Sequence, residues 1–162
     1  MLKRIVVCAL AVAALGSGSA LLAQRNYSGD GYATFGVGSG GINFGEFLNA
    51  GGGGEAFVWK GLAAGGDIAY MWPHVSPSNG IGLLSLGPSW HFLNRAHQGR
   101  VVPFLNGGYG LAFRSGSANL YYLGGGATVW FASHAGVRLE FRHYGQRCCD
   151  FDNSIRFGIA FR

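Results

Sequence analysis

Three charged residues stand at alternate positions in the segment Arg138-Leu139-Glu140-Phe141-Arg142. A carboxylate between two guanidiniums forms forked, charge-assisted hydrogen bonds. That chemistry suits a structural ion-pair plug, or a gate whose pairs exchange partners. Cys148 and Cys149 are adjacent, beside Asp150 and Asp152. Adjacent cysteines miss the spaced pattern of zinc sites. In an oxidising compartment they are candidates for a vicinal loop disulfide, for pairing between molecules, or for holding a soft metal. His74-Val75-Ser76 is a catalytic-looking fragment, because a histidine activates a serine when a carboxylate orients it. His91, His97, His134 and His143 are scattered and form no ligand cluster by spacing. The glycine run 51–54 opens no helix, so a phosphate-cradling role is weak. No metal and no cofactor is expected.

The elements that would hold these residues follow from a period of two. Val137, Leu139 and Phe141 alternate with Arg138, Glu140 and Arg142, so a strand puts the apolar residues on one face and the charged ones on the other. Seven further segments split the same way, between turns rich in Gly, Ser, Asn or Pro. The eight span residues 32–38, 54–59, 62–72, 81–92, 101–114, 120–132, 136–144 and 154–162. A glycine-rich loop is expected over 40–53. By parity Asp67, Arg114, Arg138, Glu140, Arg142 and Arg156 share the polar face, joined by Glu55.

The chain opens with Met1-Leu2-Lys3-Arg4, an apolar run from Ile5 to Leu15, and then Gly16-Ser17-Gly18-Ser19-Ala20. A basic start, a short apolar core and small residues make a secretory leader, expected over residues 1–23, with the fold in 24–162. The run is too short to cross a bilayer as a helix, which takes about 20 residues. Nothing after it is a long apolar helix candidate. Twelve Lys+Arg against seven Asp+Glu, with Lys3 and Arg4 in the leader, is too weak an excess to argue for nucleic acid. Charged residues make up 12% of the chain, about half the share usual in soluble domains. Glycine, at 30 residues, and aromatics are abundant.

Which face is inside decides the solvent. If the Leu, Ile, Val, Phe and Tyr face pointed inward, it would overfill an eight-stranded barrel, whose interior only just admits side chains. The outer face would then be too poor in charge for solubility. With the apolar face outward, glycines and small polar groups fill a narrow lumen, and aromatics near strand ends form interfacial girdles. The expectation is an all-β, eight-stranded antiparallel up-and-down transmembrane β-barrel.

These residues resemble a family. The leader, the alternating segments, Val102-Pro103-Phe104-Leu105-Asn106-Gly107-Gly108-Tyr109-Gly110, the segment from Val137 to Tyr144, and the closing Phe157-Gly158-Ile159-Ala160-Phe161 carry the likeness. It is to the small outer-membrane β-barrel proteins, the OmpA-type transmembrane domain and the opacity-type barrels. The resemblance implies both termini in the periplasm, longer loops outside, and insertion by the outer-membrane assembly machinery. It also implies contact with outer-membrane lipid and lipopolysaccharide. Two departures stand out. Phe161 is followed by Arg162 where members often end on an aromatic residue, and no peptidoglycan-binding domain is expected after it. Outer-membrane lipid A deacylases share the architecture and carry a His-x-Ser pair with an acidic partner. Here His74 and Ser76 fall in a loop, and the late-strand His143 is followed by Tyr144-Gly145, so the pattern does not match position by position. The expected function is an integral outer-membrane protein with a plugged polar lumen and a non-catalytic envelope or surface role. A narrow solute pore and a deacylase-like enzyme are the alternatives.

Overall fold

The computed structural model describes residues 29–40, 45–92, 100–145 and 151–162, with only the backbone described for Phe151. The expected leader, His97, Cys148 and Cys149 lie outside the described residues.

Eight strands form: β1 (Gly29–Ser39), β2 (Glu46–Trp59), β3 (Leu62–Pro73), β4 (Ile81–His91), β5 (Val101–Phe113), β6 (Ser117–Trp130), β7 (Ala135–Gly145) and β8 (Phe151–Phe161). Each pairs antiparallel with its sequence neighbours, and β1 pairs with β8, which closes the barrel. An 11-residue strand such as β7 extends about 36 Å. Tilted by about 45°, it crosses the roughly 25 Å apolar band of a transmembrane barrel.

The alternation read in the sequence sets the two faces. Ile68, Leu123 and Ile159 point out and are 60%, 66% and 61% exposed. Arg138, Arg142, Arg156 and Glu140 point in and are at most 1% exposed. Charged residues are among the most buried large side chains, and aliphatic and aromatic ones cover the outside, the reverse of a soluble protein. No described helix is long and apolar enough to cross a membrane, so any crossing is made by the strands.

The start of β1 and the end of β8 lie at one end of the barrel, here the terminal end, with the β2–β3, β4–β5 and β6–β7 connections. The β2–β3 turn is the pair Lys60-Gly61, with φ of 35° and 96°. Two consecutive positive φ values match the right-handed twist of the flanking strands, which explains the glycine. The opposite end carries the other four connections; one of them holds a single 3₁₀ turn, Pro77–Asn79. The longest connection, 92–100, joins β4 to β5 at the terminal end.

Glycine misled the sequence reading once. Residues 46–53, expected within a loop, belong to β2, and the run 51–54 lies in mid-strand. Gly53 is the Cα partner of Asp67, and a Cβ on it would sit 2.6 Å from the Asp67 side chain. The bare backbone leaves room for a lumen carboxylate. The strand is written in missing side chains, not in β-branched ones.

Candidate functional site: the ionic lumen

Cross-strand register builds the lumen from large charged residues set against small ones. Arg138 faces Thr128 on β6 and Gly158 on β8. Arg142 faces Gly124 and Ser154. Glu140 faces Gly126 on one side and Arg156 on the other, and Arg156 faces Gly36 on β1. An arginine fits inside so narrow a barrel only where its neighbours yield the space.

Three carboxylates and three guanidiniums meet at this level. Arg142 donates from Nη2 to Glu140 Oε1 at 2.7 Å and from Nε to the same oxygen at 2.9 Å. Its Nη1 reaches Asp67 Oδ2 at 2.6 Å. Arg138 Nη1 pairs with Glu55 Oε1 at 2.8 Å, and its Nε stands 3.6 Å from Glu140 Oε2. Arg156 Nη1 stands 3.6 Å from Asp67 Oδ1, and its Nη2 donates to Thr34 Oγ1 at 2.8 Å. Asn106 Nδ2 donates to Glu140 Oε1 at 2.7 Å. Buried charges persist when each has partners of opposite sign, and Arg forks satisfy two carboxylates at once.

Aromatic rings flank the guanidiniums. That of Arg138 lies 4.3 Å from the Tyr32 ring centroid and 3.9 Å from that of Phe104. That of Arg142 lies 4.6 Å from Tyr122. Ring faces carry negative charge density and stabilise the cations further.

Above and below the ions the lumen turns apolar. At the terminal end Tyr32, Val102, Trp130 and Ala160 form one buried cluster. At the other end Phe47, Ala69, Met71, Leu83, Ala112, Tyr122 and Tyr144 form a second. The interior is therefore an ionic belt between two hydrophobic caps. The apolar clusters add packed rings to the glycines and small polar groups expected in the lumen.

Of the residues expected in the lumen, Glu55, Asp67, Arg138, Glu140, Arg142 and Arg156 come together there. Arg114 does not. β5 ends at Phe113, so Arg114 lies past the last paired position, where parity no longer sets direction. It is exposed, and it donates to the Ser78 carbonyl and to the carbonyl and side chain of Asn79, bracing the neighbouring loop.

His91 and Ser89 were missed. Both are buried on β4, and both face the Glu55 carboxylate. Ser89 Oγ donates to Glu55 Oε2 at 2.5 Å, and His91 Nε2 faces the same oxygen at 2.6 Å. The imidazole lies between Phe57, at 4.9 Å, and Phe104, at 5.6 Å. A serine, a histidine and a glutamate thus meet, but serine and glutamate both lie on Nε2. A catalytic triad needs the carboxylate on the other ring nitrogen. The cluster orients and satisfies Glu55. His91→Ala removes the stacked ring and one partner of a buried carboxylate. It should cost about 2 kcal/mol of barrel stability, read as an earlier loss of heat-modified gel migration on heating.

The catalytic-looking fragment with His74 and Ser76 lies in the β3–β4 connection. Ser76 Oγ accepts from Asn79 Nδ2 at 3.1 Å and lies 3.5 Å from Ser78 Oγ. The His74 backbone N–H donates to the Glu46 carbonyl. Ser76 thus serves its own turn. Among the described residues, no group of three or more His, Cys, Asp or Glu is placed to hold a metal.

A closed eight-stranded antiparallel barrel with an aliphatic wall and an ionic interior is a β-barrel of the outer-membrane kind. No family model and no curated protein matches the chain. Solved structures do. The N-terminal β-barrel domain of Pseudomonas aeruginosa OprF is similar with a TM-score of 0.64 at 14% identity, over 85% of this chain and 98% of that one. Neisserial surface protein A gives 0.60 at 12% identity, over 82% and 96%. The outer membrane enzyme PagL gives 0.51 at 20% identity, over 81% and 99%. Identities this low carry the fold and no activity.

Proposed function

We propose that this chain is a non-catalytic structural or surface protein of the outer membrane, with its lumen plugged. It contacts outer-membrane lipid and lipopolysaccharide, and the outer-membrane assembly machinery inserts it. It needs no cofactor and binds no nucleic acid. One observation carries the reading: the ionic belt of Glu55, Asp67, Glu140, Arg138, Arg142 and Arg156 sits between two buried apolar clusters. A solute would have to separate desolvated ion pairs and displace packed aromatics at both ends. Ser76, engaged within its own turn, also speaks for a non-catalytic role.

Planar bilayers containing the refolded protein test this. The expected record has no discrete conductance steps. Reproducible steps would establish a narrow pore instead. Incubation with lipopolysaccharide should release no fatty acid; release that Ser76→Ala abolishes would establish a deacylase.

A further inference from the structure

The two rims of the barrel differ in charge. At the terminal end the described charged side chains are Lys60, Arg100 and Arg162, with one acid, Asp30, half-buried inside the wall. At the opposite end they are Glu46, Asp152 and Arg114, and Arg114 is bonded into the loop at 78–79. Among the described residues, positive charge therefore gathers at the end where β1 starts and β8 finishes.

Lys60 sits beside an outward aromatic ring. Lys60 Nζ lies 5.3 Å from the centre of the Trp59 ring. Arg162 is turned inward instead: its guanidinium lies 4.3 Å from the ring centre of the buried Trp130, and its Nε donates to the Ser133 carbonyl. Around them the outward aromatics Trp59, Trp90, Phe92, Phe131 and Phe161 are 40% to 69% exposed. An aromatic belt marks the level of the lipid headgroups, and long basic side chains next to it reach up to the phosphates. Arg162 also borders a groove of about 680 Å³ on the barrel wall, between Phe161 and Leu86.

We infer that the terminal-end rim binds anionic phospholipid of the adjoining leaflet through Lys60 and Arg100, the two of its cations that are exposed. The inference rests on the outer-membrane reading and adds a leaflet and a lipid class to it. Each basic group near an anionic surface favours negative headgroups over zwitterionic ones, and the preference weakens as salt rises. The opposite rim has no comparable surplus of cations among its described residues.

Tryptophan fluorescence tests it. Trp72 is near the opposite end, so a Trp72→Phe background leaves Trp59, Trp90 and Trp130 reporting from the basic end. Brominated phosphatidylglycerol should quench at a lipid fraction about threefold lower than brominated phosphatidylcholine. High salt should erase the difference without any mutation. Lys60→Gln with Arg100→Gln should bring the two lipids close to equality, while Arg114→Gln should leave the preference intact. Equal quenching by the two lipids in the parent protein would overturn the inference and leave the cations to an acidic protein partner. A preference untouched by salt would overturn it too. Failure to gain a heat-modifiable, lipid-quenched state in either lipid would instead overturn the membrane reading beneath it.

Discussion

Glu140→Ala should lower the stability of the barrel by about 3 to 5 kcal/mol. Glu140 is fully buried and accepts from Arg142 Nε, Arg142 Nη2 and Asn106 Nδ2 through one oxygen. Its other oxygen stands 3.6 Å from Arg138. Alanine would leave three buried guanidiniums facing two carboxylates. The loss measures the cost of uncompensated charge more than the strength of the pair, so adding Arg142→Met should recover part of it. Thermal unfolding in detergent micelles, followed by gel migration, reads both effects. An unchanged midpoint in Glu140→Ala would remove the network from any account of stability.

The second large effect concerns absent side chains. Gly126→Ala should destabilise by about 3 kcal/mol, toward the upper end of core overpacking. Gly126 is the Cα partner of Glu140. A Cβ there would collide with the Leu139 carbonyl and sit 2.8 Å from Glu140 Cα, and backbone cannot swing aside as a side-chain tip can. Gly116→Ala, in the β5–β6 turn, is the matched control. Nothing lies within 4 Å of its added carbon, and its stability should be unchanged. Equal tolerance of both substitutions, measured by refolding yield and thermal midpoint, would contradict the packing of charged residues against bare backbone.

Much of this architecture is legible in the sequence because parity is a local property. Val137, Leu139 and Phe141 against Arg138, Glu140 and Arg142 reveal a strand and its two faces with no knowledge of any neighbour. Parity stops at the strand end, which is why Arg114 was placed inside. It also gives a face and not a height. Ser89 and His91, two residues apart, share one face of β4 by the same alternation, but their meeting with Glu55 depends on the register of strands not adjacent in the barrel. The apolar caps were hidden for the same reason. Phe47 and Leu83 lie on different strands, and only closure brings them into one layer. Glycine is ambiguous in a different way, since the run 51–54 reads as a loop until the side chains occupying its space are known.

The charges of the belt are also sorted along the chain. Glu55 and Asp67 are on β2 and β3, while Arg138, Arg142 and Arg156 are on β7 and β8. Only Glu140 departs from that division. Apart from the pairs that Glu140 makes within β7, the contacts that neutralise the interior join distant parts of the chain: Arg142 meets Asp67 across 75 residues, and Arg156 also stands against Asp67. Non-local pairings form slowly, since the chain must surrender loop entropy before they reward it. A chain lacking its last two strands would hold two early carboxylates with no arginine to meet them. Sealing the β1–β8 seam is at once a geometric and an electrostatic event, and it makes barrel formation all-or-none, with an incomplete copy marked by its own unbalanced charge.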